Sequence, residues 1–216
     1  IILLAWQLIQ MRLAIDWPEP ERLALANLTF DIHAPLANRL GIWQLKWELE
    51  DLAFRAMQPK QYQLIAKQLH EKRGIREKYI DKAIKHIQLA VSQAGITADV
   101  AGRPKHIYSI WKKMQRKSVG FDELYDIRAI RVLVDDIGAC YSVLGLVHQL
   151  WVPIPGEFDD YIAQPKSNNY QSLHTAVSGP DGLGLEVQIR TWKMHEHAEM
   201  GVAAHWRYKE GGRAQG

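Results

Sequence analysis

A chain of 216 residues, 47% hydrophobic and 24% charged, has the composition of a folded globular protein with room for one large domain or two small ones. Its formal charge of +3 is too small to argue for nucleic acid by itself, so any basic patch has to be local. The single cysteine, Cys140, excludes an intrachain disulfide and fits a reducing, cytoplasmic setting.

The run Ile1 to Ile15 is apolar but interrupted by Gln7, Gln10 and Arg12. It is too short for a membrane span and lacks the basic leader of a signal peptide, so a buried helix is expected and no membrane. The chain opens without methionine in mid-helix, which reads as a piece of a longer protein. Helix is expected from residue 1 to about 95, broken at Pro18 and Pro20, turning at Gly41 and restarting at Pro59. Ile80, Ala83, Ile84, Ile87 and Val91 repeat at helical spacing, and Gly95 ends that run. Beyond it the pattern changes. Ala98 to Ala101 suits a first strand and His106 to Arg116 a helix. Ile127 to Val134 is β-branched enough for a central strand, and Ile137 to Leu150 suits a helix. Trp151 to Asn169, with three prolines, reads as a long loop. Leu173–Val177 and Leu185–Ile189 are expected to pair around a Pro180-Asp181-Gly182 turn, before a last helix from about Lys193 to Trp206. The sum is a set of helices followed by an α+β domain.

The chemistry is concentrated in that second part. Along Leu185 to Arg190, Glu186, Gln188 and Arg190 point one way and the apolar residues the other. A solvated sheet face gives the same alternation, and so does a site that handles metal and phosphate. Asp126, followed by Arg128 and Arg131, offers a second acid. Magnesium takes one or two carboxylates plus phosphate oxygens, so the two acids make a seat for it, with ordinary ion pairs as the competing account. Asp126 and Arg131 have opposite parity, so either Asp126 precedes the strand or a bulge intervenes. Between Arg103 and Lys117 lies a dense basic run in which Lys105, Lys112 and Arg116 fall near one helix face beside Ser109. Such a face neutralises a triphosphate, or is simply solvated. The following loop carries Lys166, Asn168, Asn169, Tyr170, Gln171 and His174, and a tyrosine there can stack on a base or pack on the scaffold.

The order of these segments is more specific than any one of them. Gly102-Arg103-Pro104-Lys105-His106-Ile107-Tyr108-Ser109-Ile110-Trp111-Lys112-Lys113-Met114, Phe121 to Arg131, Tyr170-Gln171-Ser172-Leu173-His174, Glu186-Val187-Gln188-Ile189-Arg190-Thr191 and Gly201 to Trp206 together resemble the RelA/SpoT-type (p)ppGpp synthetases. The likeness is closest to the synthetase-only RelA type and runs through essentially all of residues 30 to 212. It implies an α+β fold, with a helical N-terminal part followed by a nucleotidyltransferase-like mixed sheet flanked by helices. It also implies transfer of pyrophosphate from ATP to the 3′-hydroxyl of GDP or GTP, releasing AMP, as in the stringent response. By the same likeness Arg103 and Arg131 hold adenine, and Lys105, Ser109, Lys112 and Arg116 hold the ATP phosphates. Asp126 and Glu186 bind Mg2+, Glu186 doubling as candidate base. Tyr170 stacks on guanine, while Lys166, His174 and Gln188 sit near the acceptor nucleotide. The ribosome is implied as a partner through further parts of a full-length protein.

Two departures from the family pattern refine this. Glu157-Phe158-Asp159-Asp160 is the acidic form of a loop that is basic in bifunctional members, and Asn169 stands where the family usually has glycine. Asparagine is the residue best able to replace glycine at positive φ. Upstream, Leu4 to Arg12 aligns with a stretch of the family's hydrolase, but Trp6 and Gln10 replace its aspartate and asparagine, and tryptophan cannot ligate a metal. The implied layout is the end of a degenerate HD-type hydrolase over 1–55, connecting helices over 56–95 and a synthetase over 96–212. Three other readings compete, one of them a nucleotidyltransferase that adds to RNA. His195, His197, Glu199 and His205 resemble a metal cluster, but no cysteine or compact second pair supports zinc. A catalytically silent regulatory or RNA-binding module would use the basic helix as a contact.

Overall fold

The structure is a computed structural model, and it describes residues 1–121, 124 and 127–201. In chain order it contains helices α1 (Ile2–Leu13), α2 (Glu19–Leu28), α3 (Ala34–Arg39), α4 (Trp43–Met57), α5 (Pro59–Glu71) and α6 (Arg73–Gln93). Strand β1 (Ala98–Gly102) and helix α7 (Ile107–Lys117) follow, then β2 (Ala129–Val134), α8 (Ile137–Leu150), β3 (Val152–Asp160), β4 (Leu173–Ser178), β5 (Gly184–Thr191) and α9 (Trp192–Met200). By contact the chain divides into two units. Of the described residues, one takes 1–67, 106–112 and 196–201, the other those within 68–105 and 113–195.

The first unit is helical, as its periodicity dictates. Leu4, Leu8 and Met11 of α1 fall on one stripe and pack with Ala26, Ala34, Ala37, Leu49 and Ala53. The opposite stripe, Ile2, Leu3, Trp6, Ile9 and Leu13, is exposed, so α1 is buried on one face. A π-helical turn at Thr29–His33 joins α2 to α3, and buried Gln7 donates to the Thr29 hydroxyl at 2.8 Å. Asp51 accepts from the backbone N–H of Tyr108 at 2.8 Å and of Ile107 at 3.3 Å, satisfying donors that a helix start leaves open. Phe54 is fully enclosed and packs against the rings of Tyr62, Tyr108 and Trp111.

The second unit is built on one mixed sheet in the order β1-β2-β5-β4-β3. β2 and β5 are parallel and the other pairs antiparallel. Period-2 alternation sends Ile130, Val132, Val134, Leu185, Val187 and Ile189 to one face, where they pack with Tyr79, Ala83, Ile87 and Val91 of α6 and Cys140, Val143 and Val147 of α8. Truncating one of these, such as Ile130 to alanine, costs about 2–5 kcal/mol. The β4–β5 hairpin turns through Pro180–Gly182 as expected, with Asp181 and Gly182 at φ 58° and 71°. Gly179 has to be glycine there, because a Cβ would lie 2.5 Å from the Tyr79 hydroxyl, which donates to Leu183 O.

Two expectations need correction. Residues 152–160 form a strand, not part of a long loop. β3 is an edge strand whose register shifts between Pro153 and Phe158, and edges tolerate prolines that lack a ladder N–H. β2 begins at Ala129 rather than at residue 127. The last helix begins at Trp192 and is described to Met200, and its expected continuation to Trp206 falls outside the described residues.

Candidate active site

The sheet face opposite the core carries the polar residues. Glu186 and Gln188 of β5 lie in register with Ala129 and Arg131 of β2 and with Ala176 and His174 of β4, and Asp159 of β3 stands opposite His174. A solvated face would expose these side chains. Gln188 and Arg190 are instead only 3% and 2% exposed, which removes that account of the alternation. Arg103, one residue past β1, donates its backbone N–H to Ala129 O at 2.8 Å, while Arg131 lies opposite Ala101. The two arginines expected around adenine thus project from adjacent segments of the same face.

Glu186 is the electrostatic centre of this face. Its Oε2 accepts from Lys105 Nζ at 2.5 Å and its Oε1 from Gln188 Nε2 at 2.5 Å, with an Arg103 guanidinium nitrogen 3.9 Å from Oε1. Burial opposes ionisation of this carboxyl, but Lys105, then His174 and Arg103, outweigh it and bring it down to about 2. His174 is itself held near 3, chiefly by burial, against the pull of Glu186 and with Arg103, Lys166 and Lys105 adding to the lowering. It is therefore neutral at pH 7, and the cations that keep Glu186 ionised there are Lys105 and Arg103. Gln188 Oε1 is buried and has no hydrogen-bond partner among the described residues. A buried acceptor left open at a site of this kind is placed to receive a donor from a ligand.

The residues expected near the acceptor nucleotide also converge. The Tyr170 hydroxyl lies 2.9 Å from His174 Nε2, and Lys166 Nζ lies 5.6 Å from the Tyr170 ring centroid. Asn169 sits at φ 59°, the left-handed position where the family pattern has glycine, and its N–H donates to Lys166 O at 2.8 Å. Asparagine keeps the turn. Tyr170 is 8% exposed, and the Lys166 ammonium lies beside its ring.

Lys113, Arg116, Glu157, Asp159, His174 and Glu186 line one cleft of about 250 Å³. Of the acidic segment, Glu157 pairs with Lys117 at 2.6 Å, and Asp160 accepts from Tyr141 and from the N–H groups of Ile162 and Ala163. Asp160 is thus a structural cap, whereas Glu157 and Asp159 face the cleft. The acids available are all oxygen donors, the chemistry magnesium prefers. Among the described residues no three acids, histidines or cysteines converge into a metal cage. Magnesium does not need one, because one or two carboxylates plus phosphate oxygens and water suffice.

Not every expected residue can be placed on this face. Asp126 lies outside the described residues, and β2 begins three positions after it, so it precedes the strand in sequence. Ser109 and Lys112 belong to the other unit, where Lys112 Nζ lies 6.0 Å from the Tyr108 ring centroid. His195 Nδ1 contacts Arg190 at 2.7 Å, and His205 of the alternative zinc set lies outside the described residues. Sequence reasoning overlooked Lys113 as a cleft residue and Tyr161 as a neighbour of Tyr170 and His174. Lys113 was one of six cations between Arg103 and Lys117, and nothing in Asp160-Tyr161-Ile162 marks which side the ring faces.

Comparison with known proteins follows this geometry. Residues 102–213 match a family model described as a region found in RelA / SpoT proteins. The GTP pyrophosphokinase of Escherichia coli K12 is 54% identical over 216 residues, which is 100% of this chain and 29% of that protein. That of Myxococcus xanthus is 47% identical over 201 residues, 93% of this chain and 27% of its own length. The chain therefore spans less than a third of these relatives. Among solved structures, small alarmone synthetase 1 of Bacillus subtilis bound to its product pppGpp has a TM-score of 0.51 and 24% identity, over 67% of this chain and 83% of that one. Small alarmone synthetase 2 of the same organism has a TM-score of 0.50 and 23% identity, over 63% and 80%. These two likenesses show the fold.

Proposed function

This chain belongs to the RelA/SpoT family, and we propose that it transfers pyrophosphate from ATP to the 3′-hydroxyl of GDP or GTP, yielding AMP and ppGpp or pppGpp. The observation that carries the proposal is Glu186, held ionised by Lys105 and Arg103 on a buried face that also presents His174 and Gln188. Bringing two polyanionic nucleotides together is mainly a matter of cancelling charge and fixing geometry. Arg103 and Arg131 supply planar guanidinium groups suited to hold the adenine, since arginine is delocalised and weakly hydrated. Lys105, Arg116, Ser109 and Lys112 take the ATP phosphates. Tyr170, Lys166, His174 and Gln188 take the guanine nucleotide, with Gln188 Oε1 as the open acceptor.

Glu186 and Asp126 would hold Mg2+, which when bound supplies charge neutralisation on the triphosphate. A carboxylate held near 2 is anionic at neutral pH and a weak proton acceptor, so Glu186 in this arrangement suits binding and orientation better than proton abstraction. We assign residues 1–55 to the end of a degenerate hydrolase domain, 56–95 to connecting helices and 96–212 to the synthetase. A cytoplasmic location and ribosome contact through further parts of the whole protein complete the proposal. Among the described residues no helix is long and apolar enough to cross a membrane. A silent RNA-binding module with the same fold has no use for a buried, ionised carboxylate.

The test is direct. Incubation with labelled ATP, GDP and magnesium is expected to give labelled ppGpp with equimolar AMP. A magnesium-loaded, folded protein that binds both nucleotides and forms neither product would overturn the reading.

A further inference from the structure

Three of the four side chains assigned to the guanine nucleotide, Tyr170, Lys166 and His174, share one neighbour that has no role so far. Tyr161 follows β3 directly, and its backbone N–H donates to Ser172 O at 3.0 Å, which ties it to the start of β4. Its ring meets His174 edge-on, with centroids 5.3 Å apart at 88°, and Tyr170 at 6.2 Å and 62°. Lys166 Nζ lies 4.2 Å from the Tyr161 ring centroid, closer than its 5.6 Å from that of Tyr170. Burial, and then the nearby Asp159 carboxylate that lines the cleft, push the Tyr161 hydroxyl up from its ordinary value.

We propose that Tyr161 is a positioning residue for the acceptor guanine nucleotide, its ring holding the Lys166 ammonium and the Tyr170–His174 pair in the arrangement that receives it. The inference rests on the acceptor-site assignment of Tyr170, Lys166 and His174. Its physical basis is the quadrupole of the ring. The negative face attracts the ammonium, and the edge contacts hold His174 at 88° and Tyr170 at 62° to the ring. Lysine is otherwise rotamer-rich, and confining it before the nucleotide arrives lowers the cost of ordering it on binding. An aliphatic residue fills the same space but offers no face to a cation.

The test uses the whole chain with a fluorescent GDP analogue, and it follows binding alongside the KM for ATP. Tyr161→Leu is expected to weaken analogue binding roughly tenfold, the scale of one desolvated cation–π contact with one edge contact. Tyr161→Phe, which keeps the ring, is expected to bind within about twofold of the parent, as a change that spares the ring should. The KM for ATP stays unchanged in both. Tyr161→Met serves as the aliphatic variant should the leucine protein fail to fold. Unchanged GDP binding in the aliphatic variant, beside weakened binding in Tyr170→Ala, overturns the inference and leaves the acceptor site standing. Equal damage to ATP and GDP, or equal damage from phenylalanine and leucine, overturns it too, because the effect then runs through the fold or the hydroxyl. Unchanged binding in Tyr170→Ala and the aliphatic variant alike removes the acceptor-site assignment and the inference with it.

Discussion

Replacing Lys105 with methionine keeps the length of the side chain and deletes the ammonium 2.5 Å from Glu186 Oε2. Both partners are largely buried, at 12% and 14% side-chain exposure, so solvent does little to soften the loss. In the intact pair Glu186 is lowered from 4.5 to about 2. That difference of about 2.5 units, at about 1.4 kcal/mol each, amounts to on the order of 3 kcal/mol. A carboxylate whose folded pKa lies below its unfolded one stabilises the fold above pH 4.5 and loses that contribution as pH falls through about 2. Without Lys105, burial, the largest single influence, acts against an ionised Glu186, and Arg103 and Gln188 remain beside it. Urea unfolding followed by far-UV circular dichroism should therefore find the variant less stable by about 3 kcal/mol at pH 7, narrowing to about 1 kcal/mol at pH 3. A gap that is the same at both pH values, or below about 1 kcal/mol at pH 7, refutes the reasoning, since exposed ion pairs contribute only that much.

Three further outcomes are expected. Glu186→Gln keeps the shape and removes the charge, and should lower ppGpp synthesis by about a thousandfold or more in a product assay; near-normal turnover rejects its place in the site. The same change leaves Lys105 and Arg103 without their carboxylate, so the thermal midpoint should fall as well. Asn169→Gly should leave the thermal midpoint nearly unchanged, whereas Asn169→Val, forced to φ 59°, should cost about 1–2 kcal/mol. His174, lowered from 6.5 to about 3, binds its proton less readily when folded, so its contribution to stability is complete above pH 6.5 and is lost as pH falls toward 3. Its imidazole NMR shifts should stay constant from pH 8 to pH 5, and a titration midpoint near 6.5 would contradict its burial.

Periodicity alone carried the helices of the first unit and the strands around Val132 and Val187, because one-sided burial writes itself into spacing. The alternation at Glu186, Gln188 and Arg190 was legible too, but whether that face was wet or buried was not. Burial depends on what the rest of the chain lays beside a strand, which a period of two cannot encode. β3 was missed because Pro153 and Pro155 are evidence against a strand only where both edges must bond, and edge position is a property of the sheet order. Tyr161 was invisible for a related reason. Its contacts to residues 166, 170 and 174 are fixed by the β3–β4 pairing, and a tyrosine beside two aspartates reads equally as surface.

The place of β5 in the sheet also bears on how the protein is made. It is the last strand in sequence among the described residues, yet it stands at the centre of the order β1-β2-β5-β4-β3. While a nascent chain ends before Gly184, it can form only two separate ribbons, β1 with β2 and β3 with β4, each marginal in water. β2 and β4 then present open edges, the kind that recruits foreign strands. When β5 emerges it joins both ribbons at once, and the same eight residues deliver Glu186 and Gln188 between Arg131 and His174. A truncated product is therefore an aggregation hazard, and the face that carries Glu186 and Gln188 comes into being in the step that closes the sheet.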